Sequence, residues 1–238
     1  MSAYDIKTIE ETIGGIDYVG RGIIAGLTPD GKRAVTVYFI SGRSENSRNR
    51  VFAYHGGALF TEPFDESKVE DPSLIIYAAV RKAGDKLIVT NGDQTDTIAD
   101  GIAEGGDFIS ALRTRKFEPD APNFTPRISC EFDFSADYRY RMSILKSADE
   151  RGSACNRFFY EYAPTAGVGH FISTYICGGN PLPSFCGEPK RVATSDDPEE
   201  FATRLWNALD EDNKISLFVR YTDLSDGTET DVIINKNR

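Results

Sequence analysis

The turn Thr28-Pro-Asp-Gly31 stands between two apolar runs, residues 18–27 and 33–40, and fixes how the chain begins to fold. Proline presets the backbone for the turn and glycine closes it, so the two runs must fold back as antiparallel neighbours. The arrangement recurs. Residues 74–80 and 87–90 flank a polar turn at 81–86, and Asn91-Gly92 ends the second strand. Residues 215–221 and 231–235 flank Ser225-Asp-Gly227. Further strands are predicted over 128–134, 138–145, 157–162 and 170–177, with Tyr138-Arg-Tyr-Arg-Met alternating at a period of two. Two helices are marked. Asp107 caps one whose apolar face is Phe108, Ile109, Ala111 and Leu112. The other follows a Gly- and Pro-rich loop at 178–189. Its cap is Ser195 or Asp196, Pro198 lies in its first turn, and Phe201, Leu205, Trp206 and Leu209 form its stripe. Strands and helices are grouped rather than alternating, which predicts an α+β fold over a doubly wound sheet. Two mainly antiparallel sheets with helices over their outer faces accommodate this order. No repeat or linker divides the chain, so residues 1–238 read as one domain.

The 238 residues carry a formal charge of −10. An acidic chain has no broad basic face for nucleic acid or an anionic membrane. No apolar run reaches the ~20 residues of a membrane span. The N-terminal MSAYDIKTIEETIGG lacks a basic-then-apolar signal pattern, so a cytoplasmic protein is expected. The four cysteines form no Cys-x-x-Cys pair and are expected as free thiols. With only His55 and His170 present, no His-rich metal centre is expected.

Three segments carry candidate chemistry. Residues 41–50 place Arg43, Arg48 and Arg50 directly after an apolar strand. Arginine's planar fork matches phosphate and carboxylate oxygens two at a time. Composition alone leaves this segment open between a solvated turn and an anion site. No glycine-rich phosphate loop is present, so a bound phosphate would be held by side chains. Asn91-Gly-Asp-Gln-Thr-Asp96 reads either as a strand-ending turn capped by Thr95 or Asp96, or as groups able to hold a ribose or base edge. In residues 117–127, Pro119, Pro122 and Pro126 hold an extended loop carrying Glu118 and Arg127. Tyr77 lies inside an apolar strand, where a tyrosine is ordinarily a core residue with a satisfied hydroxyl.

Taken together and in order, several motifs resemble the archaeal-type IMP cyclohydrolases. They are Tyr18-Val-Gly-Arg21, Ser41-Gly-Arg-Ser44 with Asn49-Arg50, the strand at Tyr77, Asn91-Gly-x-x-Thr-Asp96 running into Ile98-Ala-Asp100, and Thr125-Pro-Arg-Ile128. Asp197-Pro-Glu-Glu200 is similar too. The resemblance spans residues 18–210. It is dense up to Ile128 and thin between 129 and 190.

The resemblance implies a four-layer α-β-β-α sandwich like the core of N-terminal-nucleophile hydrolases, without their processed nucleophile. Gly14-Gly-Ile-Asp17 agrees, since it offers no Cys, Ser or Thr at the strand entry. It also implies closure of the purine ring, from the 5-formamidoimidazole-4-carboxamide ribonucleotide to IMP and water. Neither metal nor organic cofactor is implied, and the partners are a phosphate-bearing purine ribonucleotide and further copies of the chain. On that reading Tyr77 and Glu118 become proton-transfer groups. Arg50 and Arg21 suit the phosphate, and Arg43 fits either the phosphate or the oxyanion. Asn91, Thr95 and Asp96 suit ribose and base edges, and Arg127 joins the substrate-binding set. The chain departs from the family pattern in residues 1–17, in the inserted Glu45-Asn-Ser-Arg48 and in the 178–189 loop. A non-catalytic purine-nucleotide-binding protein and an amidohydrolase on a related substrate are the alternative readings.

Overall fold

The computed structural model describes residues 4–69 and 76–237. Two antiparallel sheets face each other. The first has strand order β11-β10-β1-β2-β12-β13, with β1 Arg21–Leu27, β2 Arg33–Ser41, β10 Val168–Ser173, β11 Lys190–Ala193, β12 Lys214–Asp223 and β13 Glu229–Asn235. The second runs β3-β4-β5-β6-β7-β8-β9. Its strands are β3 Val51–His55, β4 Ala58–Glu62, β5 Tyr77–Ala83, β6 Lys86–Thr90, β7 Arg127–Asp133, β8 Arg139–Ser147 and β9 Cys155–Tyr162.

Strand alternation sorts the side chains into three apolar layers. Between the sheets, Ile23, Tyr38 and Ile40 meet Tyr77, Val89, Ile128 and Met142. Helices α1 Ile9–Ile13 and α5 Pro198–Ala208 cover the outer face of the first sheet, where Phe201 and Leu205 pack with Phe39, Phe171 and Leu217. Helices α3 Gln94–Ala103 and α4 Phe108–Arg113 cover the second, through Ile98, Phe108 and Leu112 on Ile88 and Leu145. Each fully buried Leu, Ile or Phe contributes about 1.5–3 kcal/mol. The layers therefore run α-β-β-α.

The three predicted hairpins form, with differences at their ends. Strand β5 continues through Ala83, and its turn is Gly84-Asp85, because Gly84 takes a φ of 60° and Ala83 pairs with Lys86. The predicted start at 74–75 lies outside the described residues. A further hairpin joins β3 and β4 through Gly56-Gly57, whose φ values of 57° and 83° suit a tight turn. Residues 91–96, read as a turn ahead of a helical region, already run into helix α3 at Gln94. Its cap position is Asp93, not Thr95 or Asp96, and Asp93 makes no side-chain cap bond. Helix α5 is capped by Asp197, not Ser195 or Asp196, because its Oδ1 accepts from Glu199 N at 2.9 Å and Glu200 N at 3.1 Å. Residues 8–13 dock as α1, where Arg204 forks onto the Glu10 carboxylate at 2.8 and 3.0 Å. All four cysteines are unpaired thiols.

Candidate active site

The first residue of β1 is placed by the glycine before it. Gly20 has a φ of 74°, and a Cβ there would lie 2.1 Å from Thr174 Oγ1 and 2.7 Å from the Tyr175 ring. Only glycine fits, and its turn delivers Arg21 to the sheet, where Arg21 N donates to Thr174 Oγ1 at 3.1 Å. Odd positions of β1 and even positions of β2 face the inter-sheet space, so Arg21 and Tyr38 share it with Tyr77 from β5. The Tyr38 and Tyr77 hydroxyls are 2.7 Å apart.

Arg50 reaches the same space from the end of the arginine segment. That segment is not an open loop: Glu45–Arg48 forms a one-turn helix, α2, capped by Ser44. Asn49 then locks the backbone, because its Nδ2 donates to Asp65 O and its Oδ1 accepts from Asp65 N, both at 2.7 Å. Arg50 follows, 5% exposed. Among the described residues its guanidinium makes no hydrogen bond or ion pair, and Nε and Nη1 are fully enclosed. Arg21 Nε is likewise enclosed and unpartnered.

The electrostatics tie these groups together. Burial pushes the Arg50 pKa down, and the neighbouring Arg21 charge pushes it the same way. For Arg21, burial opposes the charge, but the oxygens of Tyr18, Tyr77, Tyr38 and Glu118 outweigh it, and the pKa rises. Burial raises the Glu118 carboxyl, against the pull of Arg21, Arg127 and Arg50. Burial also holds the Tyr38 phenol well above its ordinary range, with Tyr77 adding to the shift. Arg21, Arg50, Tyr77 and Glu118 thus converge at one end of the sandwich.

The other candidates sit around this centre. Arg127 Nη1 donates to Asp93 Oδ1 at 2.7 Å and Gln94 Oε1 at 2.5 Å, Nε donates to Lys116 O at 3.0 Å, and Glu118 lies 4.0 Å away. Asn91 is spent inside the fold: Nδ2 donates to Pro126 O, and Oδ1 accepts from Ile128 N and Gln94 Nε2. The Thr95 hydroxyl is buried against Thr90 Oγ1 at 2.6 Å. Asp96 is exposed and pairs with Arg81 at 2.6 Å on the outer face of the second sheet. Arg43 lies over the Tyr18 ring, 4.8 Å from its centroid, and donates to Gly179 O at 3.1 Å. Arg48 turns away, its Nε donating to Gly42 O and its Nη2 to Asn213 Oδ1, each at 3.1 Å.

Sequence reasoning passed over Tyr38, Tyr18 and Tyr175. Tyr38 had one available signal: like Tyr77, it is a tyrosine inside an otherwise largely apolar strand. Tyr18 and Tyr175 stack at 5.8 Å, and the Tyr175 hydroxyl lies 2.6 Å from Thr125 Oγ1, joining segments far apart in the chain. Among the described residues no group of three or more His, Cys, Asp or Glu side chains is arranged to hold a metal ion. No helix there is long and apolar enough to cross a membrane.

Comparison with known proteins identifies relatives of the chain. A protein from Methanopyrus kandleri named IMP cyclohydrolase is 32% identical over 162 residues, covering 66% of this chain and 75% of that relative. One of the same name from Methanococcus maripaludis is 38% identical over 154 residues, 60% of this chain and 75% of the relative. A third, from Methanothrix thermoacetophila, is 36% identical over 96 residues, 40% of this chain and 46% of the relative. The family model described as IMP cyclohydrolase-like protein matches residues 18–229, from Tyr18 to the first residue of β13. The chain belongs to the IMP cyclohydrolase-like family.

Proposed function

We propose that this chain is an IMP cyclohydrolase, which closes 5-formamidoimidazole-4-carboxamide ribonucleotide to IMP and water. The observation that carries the reading is the neighbouring pair Arg21 and Arg50: Arg50 is buried with Nε and Nη1 enclosed, Arg21 Nε is enclosed too, and among the described residues neither guanidinium meets a carboxylate. Enclosed positive charge beside positive charge is costly unless an anion joins it. Arg50 takes phosphate oxygens. Arg21, which feels Arg50 as well as Tyr77 and Glu118, serves both the phosphate and the oxygen where charge develops.

The reaction needs geometry and proton transfers. The carboxamide nitrogen attacks the formyl carbon, a C–N bond forms, and the formyl oxygen becomes a hydroxyl. That hydroxyl leaves as water, while the former formamide nitrogen loses its proton and the ring C=N forms. One proton therefore leaves each nitrogen, and both depart on the oxygen. Tyr77 donates toward this oxygen and Glu118, its carboxyl raised by burial, collects and returns a proton. Arg43 stands beside Tyr18 as part of the entrance. Asn91, Thr95 and Arg127 support the site by holding its backbone, and Asp96 faces the outer layer.

Purified protein supplied with the formamido ribonucleotide should form IMP, followed chromatographically. A rate no higher than the spontaneous one removes the proposal.

A further inference from the structure

The paired tyrosines carry one more conclusion. Tyr38 is fully buried, and its ring packs on Phe52 with centroids 5.5 Å apart. Among the described residues its hydroxyl has a single hydrogen-bond partner, the Tyr77 hydroxyl. Two hydroxyls at this distance share one proton in one of two directions. If Tyr77 donated, the Tyr38 proton would be left in the core with nothing to accept it, and the full desolvation of that group would be uncompensated. If Tyr38 donates, every proton has a place, because Tyr77 is the partly exposed member of the pair, at 5% against 0% for Tyr38, and its proton can reach solvent or substrate. We propose that Tyr38 is a positioning residue: it gives its proton to the Tyr77 oxygen, which fixes Tyr77 as a hydrogen-bond donor, and not an acceptor, toward the substrate.

This rests on the ring-closing function proposed above and sharpens it. Among the described residues, the charged groups beside the pair are Arg21 from β1 and Arg50 ahead of β3, and Thr61 of β4 lies opposite Tyr77 in the sheet.

The test is Tyr38→Phe, which keeps the ring against Phe52. Turnover should fall roughly 3- to 10-fold with KM little changed. In a Tyr77→Phe background the same substitution should cost nothing further in kcat, because Tyr38 acts only through Tyr77. A full, additive loss in that background, or a rise in KM with kcat unchanged, overturns the proposal. A second measurement is independent of catalysis. With tyrosine labelled at 13Cζ, the Tyr77 resonance, assigned from Tyr77→Phe, should move in Tyr38→Phe relative to wild type at neutral pH. If wild type fails to cyclise the substrate, the proposed reaction falls while this shift still decides the hydrogen bond: an unmoved Tyr77 resonance refutes it.

Discussion

Arg50→Met separates stability from binding in one substitution. Arg50 is 5% exposed, its Nε and Nη1 have no partner among the described residues, and Arg21 adds repulsion. Replacing buried ionic groups by apolar ones of similar size stabilises by about 1–4 kcal/mol. Methionine is shorter and leaves some void, so the lower half of that range applies, about 1–2 kcal/mol. At this chain length 1 kcal/mol moves the midpoint by about 2–4 °C, which gives a gain of about 2–8 °C for the ligand-free variant. Nucleotide reverses the order. At a concentration 100 times Kd, wild type gains about 2.7 kcal/mol, or roughly 5–11 °C. The variant, lacking its anion ligand, gains little. Thermal unfolding with and without IMP reads all four values. A lower midpoint for ligand-free Arg50→Met, or an IMP-dependent rise equal to that of wild type, refutes the reasoning that the arginine is held unpaired for an anion.

Glu118→Gln should lower kcat about 100-fold or more. Its stability effect has a definite sign: the wild-type carboxyl is raised by burial, so its favourable contribution is present below the unfolded pKa and lost as pH rises through the folded one. The variant should therefore gain on wild type in melts taken from pH 4 upward, and a constant difference would contradict the assignment. Thr95→Val breaks the buried hydroxyl pair with Thr90 and should cost about 1–2 kcal/mol, with KM unchanged; a large rise in KM would return Thr95 to the substrate. His170 is held down to about 4 by burial, then by Arg191, so its share of stability is present above about pH 6.5 and lost as pH falls through 4. His170→Phe should flatten the acid side of the stability curve between those values, and an unaltered slope there would show that His170 does not titrate as described.

Much of the fold was legible because its signals are local. Thr28-Pro-Asp-Gly31 and Ser225-Asp-Gly227 announce hairpins whatever lies beyond them, and Asp107 and Pro198 announce helices. The β3–β4 hairpin was missed although Gly56-Gly57 marks its turn, because its strands mix exposed and buried positions and give a weak pattern. The start of helix α3 at Gln94 was not read because Asp93 gives it no side-chain cap, its carboxylate lying on Arg115 and Arg127. Within the site, the arginines, Tyr77 and Glu118 were legible as residue types in family order. What could not be read was how each side chain's bonding capacity is divided. Asn91 and Thr95 look equally suited to a ribose and to a turn, and only three-dimensional neighbours such as Pro126 O and Thr90 Oγ1 show that their polar groups are occupied.

The reciprocal bonds between Asn49 and Asp65 have a consequence for how this chain can change. They hold the backbone next to Arg50 from outside the arginine segment, while Glu45–Arg48 turns under its Ser44 cap and is tied to the first sheet's side through Arg48 to Asn213 Oδ1. The clasp therefore sets the register of Arg50 by a contact to Asp65 and not by the length of the turn, so a graft between Ser44 and Asn49 has to replace the Arg48 bonds but not the clasp.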